Sequence, residues 1–171
     1  DPGDEIRLKA IEGLINLPLP IDQARNVLLA IVDDKKPGLA GNERAHDEII
    51  RAKALEALVK SGIPFDDLKD RIFDILDENS MFTQGAALGA LAAYNPTDKD
   101  IRKMILKRLL QLAASVKGDA SSRIGAVKTI VDLKMLPLGS KDQRMLMDLI
   151  RDNRCDASVR GGFIYWLAEM N

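Results

Sequence analysis

The stretch Ile50–Asp66, IRAKALEALVKSGIPFD, reads as one amphipathic helix, a turn carrying Gly62 and Pro64, and the start of a second helix. Variants of it recur along the chain. Residues 6–22 read IRLKAIEGLINLPLPID, 83–98 read TQGAALGALAAYNPTD, 122–138 read SRIGAVKTIVDLKMLPL, and 159–167 read VRGGFIYWL. Superposition places Arg7, Arg51, Gln84, Arg123 and Arg160 in one column. Ala10, Ala54, Ala87, Ala126 and Phe163 form a second, and Leu14, Leu58, Leu91, Ile130 and Leu167 a third. The first column advances by 44, 33, 39 and 37 residues. Self-similarity at such a period marks stacked helix pairs that bury a continuous core.

The composition agrees. Only 4% of the residues are aromatic, while Ala and Leu are abundant, which favours close helix packing over a β-sandwich. At 171 residues the chain is long enough for one domain with a sizeable core. A net charge of -1 provides no global field toward nucleic acid or an anionic membrane. Cys155 is the single cysteine, which excludes an intrachain disulfide and fits a reducing compartment. No apolar run approaches the roughly 20 residues of a membrane-spanning helix. A cytoplasmic location is slightly favoured, and because the chain opens on Asp1 without a methionine a processed, exported protein is the alternative.

The punctuation predicts nine helices in four pairs plus one, within a single domain over 1–171. The repeats fall at roughly 4–34, 43–78, 80–117, 119–152 and, in part, 156–171. Asp4 opens a first helix with Ile6, Ala10, Leu14 and Leu17 as its buried stripe, ended by Pro18 and Pro20. The second helix turns Ala24, Val27, Leu28 and Ile31 inward. Residues 33–42, DDKKPGLAGN, form the one long connector. Asn42 caps the next helix and Gly62 ends it in the left-handed region. Ser80 caps the helix Met81–Tyr94, whose small residues allow close approach on several sides. Thr97 with Asp100, and Ser140 with Gln143, read as capping boxes. Ser121, Ser122 and either Asp156 or Ser158 read as further caps.

The unit D-x-x-x-R-x-x-A-x-x-A-L, carried best by Asp47–Leu58 and present at Asp119–Ile130 and Asp156–Leu167, resembles HEAT repeats. It looks closest to the short HEAT-like kind of phycobilisome-lyase-like proteins. The third unit departs, with Gln84 for the arginine and Ser80 for the aspartate, and the fifth places Phe163 at the alanine site. The resemblance implies an all-α fold, a right-handed α-α superhelix whose second helices line the concave, partner-binding side.

Four features bear on chemistry. The arginine column is either a row of anion hooks or a ladder in which each arginine pairs with an Asp or a helix-end carbonyl of a neighbouring repeat; repeated contacts between repeats favour the ladder. The second helix of the second pair is acidic, with Asp66, Asp70, Asp74 and Asp77 on one face, but a straight helix cannot wrap a cation. The second helix of the third pair is basic, with Lys99, Lys103 and Lys107 on one face beside Arg102 and Arg108, and it lacks aromatic residues to stack on bases. In a solenoid these helices are neighbours, so Asp70 and Asp74 would face Lys103 and Lys107. The final helix carries Phe163, Ile164, Tyr165, Trp166 and Leu167 in one run, more than a full turn, so a large aromatic at Tyr165 or Trp166 stays outside the core.

Nothing assembles a catalytic or metal centre. His46 is the single histidine, with no second imidazole beside it, and reads as a surface residue. Cys155 sits in a turn about three repeats away from it. There is no G-x-S-x-G elbow, P-loop or dinucleotide glycine pattern. The expectation is therefore a non-enzymatic protein-interaction scaffold without cofactor or metal. A protein or peptide partner would bind along the groove, with Asp70, Asp74, Lys99, Arg102, Lys103, Lys107, Tyr165 and Trp166 as candidate contacts. Self-association through the last helix is a further expectation. The alternatives are a nucleic-acid-binding module resembling HEAT-like DNA glycosylases, disfavoured by net charge, and an accessory subunit of an enzyme such as a chromophore lyase.

Overall fold

A computed structural model describes residues 5–6, 8–11, 13, 21–36, 38–115, 118–135, 138–152 and 155–168. Among them every regular element is helical and no strand occurs, so the fold is all-α. After leading helical residues at 5–6, 8–11 and 13, the helices are α1 (Ile21–Asp33), α2 (Gly41–Lys60), α3 (Phe65–Leu76), α4 (Met81–Tyr94), α5 (Lys99–Ala114), α6 (Ala120–Asp132), α7 (Ser140–Arg151) and α8 (Ala157–Ala168). They form two compact units, divided between Tyr94 and Asn95, inside the third expected repeat.

In the first unit α2 packs between α1 and α4, and α3 packs on α4. α3 shows how the pattern specifies the packing. Leu68, Ile72, Phe73, Ile75 and Leu76 recur at helical spacing and are all buried, each worth about 1.5–3 kcal/mol relative to exposure. Where α3 begins and α4 ends, Phe65 meets Phe73 and Tyr94 edge-on at 6.5 and 5.5 Å, and the Tyr94 hydroxyl donates to the Ile63 carbonyl at 2.5 Å. Burial, with Asp67 nearby, raises the Tyr94 phenol above its ordinary value.

In the second unit α6 packs between α5 and α8, while α7 packs on α8 and α5. The two apolar columns run through both units. Ala54, Ala87, Ala126 and Phe163 are fully buried, as are Leu58, Leu91 and Ile130. Leu167 is half-buried, Ala10 is exposed, and Arg7 and Leu14 lie outside the described side chains.

The leading stretch is rotated from the expected stripe. Ile6 is 67% exposed, and Ile11, one position beyond Ala10, takes the core place. In α1 the inward face is likewise shifted: Val27 is exposed, Leu28 and Val32 are buried, and Ala24 and Ile31 are intermediate. One residue turns a helix by about 100°, so an error of one position moves a side chain off the core. α4 also departs from expectation. Its alanines 86, 87 and 90 face the core, but Gly85 and Gly89 are exposed and a Cβ at either would meet nothing within 4 Å. These glycines do not mediate a close helix approach.

Most of the expected caps shift to neighbouring residues. Asp98, not Thr97, caps α5, its carboxylate accepting from the amides of Asp100 and Ile101 at 3.0 and 2.9 Å. Asp119 caps α6 by accepting from the amides of Ser121 and Ser122 at 2.8 and 3.2 Å, so those serines are capped, not capping. Asp156 caps α8, accepting from the Ser158 amide and hydroxyl at 2.7 and 2.5 Å, and these bonds hold its carboxyl below its ordinary range. α2 starts after Ala40 rather than Asn42, and α7 after Gly139; neither has a side-chain cap bond, so Ser140 and Gln143 make no capping box. A carboxylate displaces a nearby hydroxyl at these ends because it adds charge to the hydrogen bond at the positive end of the helix dipole. Ser80 does cap α4, accepting from the Thr83 amide at 3.4 Å.

Candidate functional site

The first column is a structural device. Arg51 Nε donates to the Val32 carbonyl at 3.0 Å, Gln84 Nε2 to the Leu76 carbonyl at 3.0 Å, and Arg123 Nε to the Ala113 carbonyl at 3.0 Å. Gln84 also donates to the Glu78 carbonyl. Val32, Leu76 and Ala113 each lie in the last turn of the preceding helix, where carbonyls lack an intrahelical partner. Each of these three residues thus terminates the helix before it. In the third and fourth repeats the position four residues earlier, Ser80 or Asp119, starts the column residue's own helix. Asp47, at the same place before Arg51, lies inside α2 and pairs with Lys36 at 3.3 Å. The D-x-x-x-R spacing therefore joins one helix end to the next helix start.

The arginines also reach forward. Arg51 grips Glu78 through both terminal nitrogens, at 3.0 and 2.7 Å, and Glu78 further accepts from Lys35 at 2.9 Å and Thr83 at 3.1 Å. Burial pushes the Glu78 carboxyl up, but the bonds from Arg51 and Lys35 outweigh it and leave the group below the usual carboxylate range. The connector 33–42 contributes Lys35 to this network, and Lys35, Lys36, Gly38 and Leu39 wall the polar cavity of about 350 Å³ above the pair. In the second unit Arg123 meets the buried Cys155 instead, Nη2 donating to Sγ at 3.3 Å.

The candidate contact residues lie on three helices, α3, α5 and α8. Asp70 and Asp74 are exposed on α3. Their neighbours are partly neutralised: Asp66 pairs with Lys69 at 3.1 Å, Asp67 with Arg25 at 2.9 Å, and Arg71 with Asp33 at 2.8 Å. The bond from Asp66 raises the Lys69 ammonium, and that from Asp33 the Arg71 guanidinium. Lys99, Lys103 and Lys107 are exposed on α5 in the second unit. Arg102 is committed to the backbone: it donates to the carbonyls of Pro96 at 3.1 Å and Leu133 at 2.5 Å, the latter just past the end of α6. On α8, Ile164 and Tyr165 are 54% and 56% exposed. Trp166 is half-buried, with the Tyr165 ring edge-on at 5.0 Å and the Lys128 ammonium 5.1 Å from its ring centre.

His46 is exposed. Among the described residues no group of three or more His, Cys, Asp or Glu side chains could hold a metal ion. No helix among them is long and apolar enough to cross a membrane.

No family model matches this chain, and no curated protein or solved structure matches it either.

One surface was not anticipated from the sequence. A shallow groove of about 410 Å³ runs along α7, with Met145 and Leu149 between the charged residues Lys141, Arg144, Asp148 and Asp152. The signal available was the order of the groove charges, Lys141 and Arg144 before Asp148 and Asp152.

Proposed function

We propose that this chain is a HEAT-like helical-repeat module that acts as a non-enzymatic protein-interaction scaffold and docks a helix of a partner protein on the open face of α8. The observation that carries this reading is a register comparison. Ile164 stands four residues after the column residue Arg160, as Leu55, Leu88 and Val127 stand after Arg51, Gln84 and Arg123. Those three are buried, whereas Ile164 is 54% exposed. In the first unit α4 packs on α2, and in the second α8 packs on α6. A helix laid on α8 in the same manner would repeat that contact and remove Ile164 and Tyr165 from water. α4 faces its core through Ala86, Ala87 and Ala90, so an alanine-rich amphipathic helix is the partner that fits.

The experiment is site-specific photocrosslinking from position 165 in cells that express the protein. A discrete adduct that disappears with Ile164→Glu, and persists with the exposed Ser121→Ala, is the expected result. The absence of any adduct, or adducts insensitive to Ile164→Glu, would overturn the reading.

A further inference from the structure

We infer that α7 is a self-association surface, packing antiparallel against α7 of a second copy of this chain. The helix commits little of itself to its own unit: Leu146 is its one fully buried residue. The side turned away from Leu146 carries the groove, in which Met145 and Leu149 are half-buried and Lys141, Arg144 and Asp148 are exposed.

The order of charges identifies the occupant. Lys141 lies in the first turn of α7, and Asp152 is its C-cap. Asp142 in the first turn and Arg151 in the last already suit the helix dipole, which favours an anion at the start and a cation at the end. The order of the charges along the groove, Lys141 and Arg144 before Asp148 and Asp152, runs the other way. It is complementary to its own reverse. A two-fold axis through the middle of α7 sets Lys141 opposite Asp152 of the copy and Arg144 opposite Asp148 of the copy. The midpoints of these two pairings differ by half a residue, about 0.8 Å along a helix, so one axis satisfies both. Two-fold interfaces require this self-complementarity, in which residue i meets j and j meets i. The same axis brings the two apolar floors, Met145 and Leu149, together between the ion pairs. An unrelated partner would require no such symmetry of charge. The surface is separate from the α8 face and stands independently of it.

Sedimentation of the wild-type chain at low ionic strength tests the inference. A reversible dimer is expected, weakened at least tenfold by molar salt, which screens exposed pairs. Arg144→Glu and Asp148→Lys each place like charges opposite one another in a homodimer, so each variant alone should be monomeric. Both positions are exposed, and circular dichroism verifies that the helices persist. An equimolar mixture of the two variants restores opposite charges at both contacts and should recover the dimer. A wild-type chain that stays monomeric at millimolar concentration overturns the inference. So does a dimer unaffected by the single variants, a mixture that fails to recover association, or a dimer abolished by Ile164→Glu alone, which would locate the contact on α8.

Discussion

Arg51 and Glu78 form a two-pronged ion pair across the first unit, with terminal nitrogens and carboxylate oxygens 3.0 and 2.7 Å apart and side chains 6% and 16% exposed. Because the carboxyl is held below its ordinary range, folding stabilises its ionised form. The contribution is complete above the unfolded-state value, about 4.3 for a glutamate, and is lost as the pH falls through the folded-state value. Urea midpoints measured from neutral to acidic pH should therefore fall more steeply for wild type than for Glu78→Gln. Arg51→Ala should cost about 3 kcal/mol at neutral pH, since it strands a half-buried carboxylate and the Val32 carbonyl together. An unchanged midpoint for Arg51→Ala would contradict the helix-terminating role of the column.

Two helix ends share one geometry with different residues. After α2, Gly62 lies at φ +74°, with the amides of Gly62 and Ile63 donating to the carbonyls of Val59 and Leu58. After α6, Lys134 lies at φ +51°, with the amides of Lys134 and Met135 donating to Val131 and Ile130. A side chain in this region costs roughly 1–2 kcal/mol. Lys134→Gly should raise stability by about 1 kcal/mol and Gly62→Ala should lower it by a similar amount. Thermal melts of the pair measure both, and shifts of the same sign would refute the shared motif.

Gly85 and Gly89 of α4 should respond in the opposite direction to Gly162 of α8. Gly85→Ala and Gly89→Ala add helix propensity into open space and should each stabilise by about 1 kcal/mol. At Gly162 a Cβ would come within 2.7–2.8 Å of three side-chain carbons of Ile124. Gly162→Ala should destabilise by about 1–3 kcal/mol through overpacking. Denaturant midpoints at unchanged slope provide the comparison.

The lysine row of α5 is expected to bind DNA no more tightly than about 10⁻⁴ M at physiological salt, the weak end of non-specific binding. Lys99, Lys103 and Lys107 are exposed, but Arg102 is spent on the carbonyls of Pro96 and Leu133, and the whole chain carries a net charge of -1. Gel shifts across a salt series suffice. Micromolar binding that weakens steeply with salt would favour the nucleic-acid reading.

Local pattern was sufficient for much of this protein. The three- and four-residue spacing of Ala54 and Leu58, Ala87 and Leu91, and Ala126 and Ile130 specified the helices and their buried columns, because helical periodicity is a property of a few consecutive residues. Gly62 was legible as a helix end for the same reason. The leading stretch and α1 were legible as helices but not in rotation, since several apolar residues competed for one core face and packing chose Ile11 and Val32. The caps went to Asp98 and Asp119 over adjacent hydroxyls, a choice between near neighbours that spacing leaves open and charge decides.

The sequence alone determined the all-helical class, the repeated pattern and the burial of its apolar columns from Ala54 to Ile130, through the spacing of residues a turn or two apart. Tertiary structure decided which polar residues remain free for function. Arg102 finds the Leu133 carbonyl 31 positions away, Arg51 finds Glu78 across 27, and Arg123 finds Cys155 across 32. It also decided that Ile164, alike in register to three buried residues, stays in water. Such partners depend on where the chain returns in space, and no local spacing encodes that return.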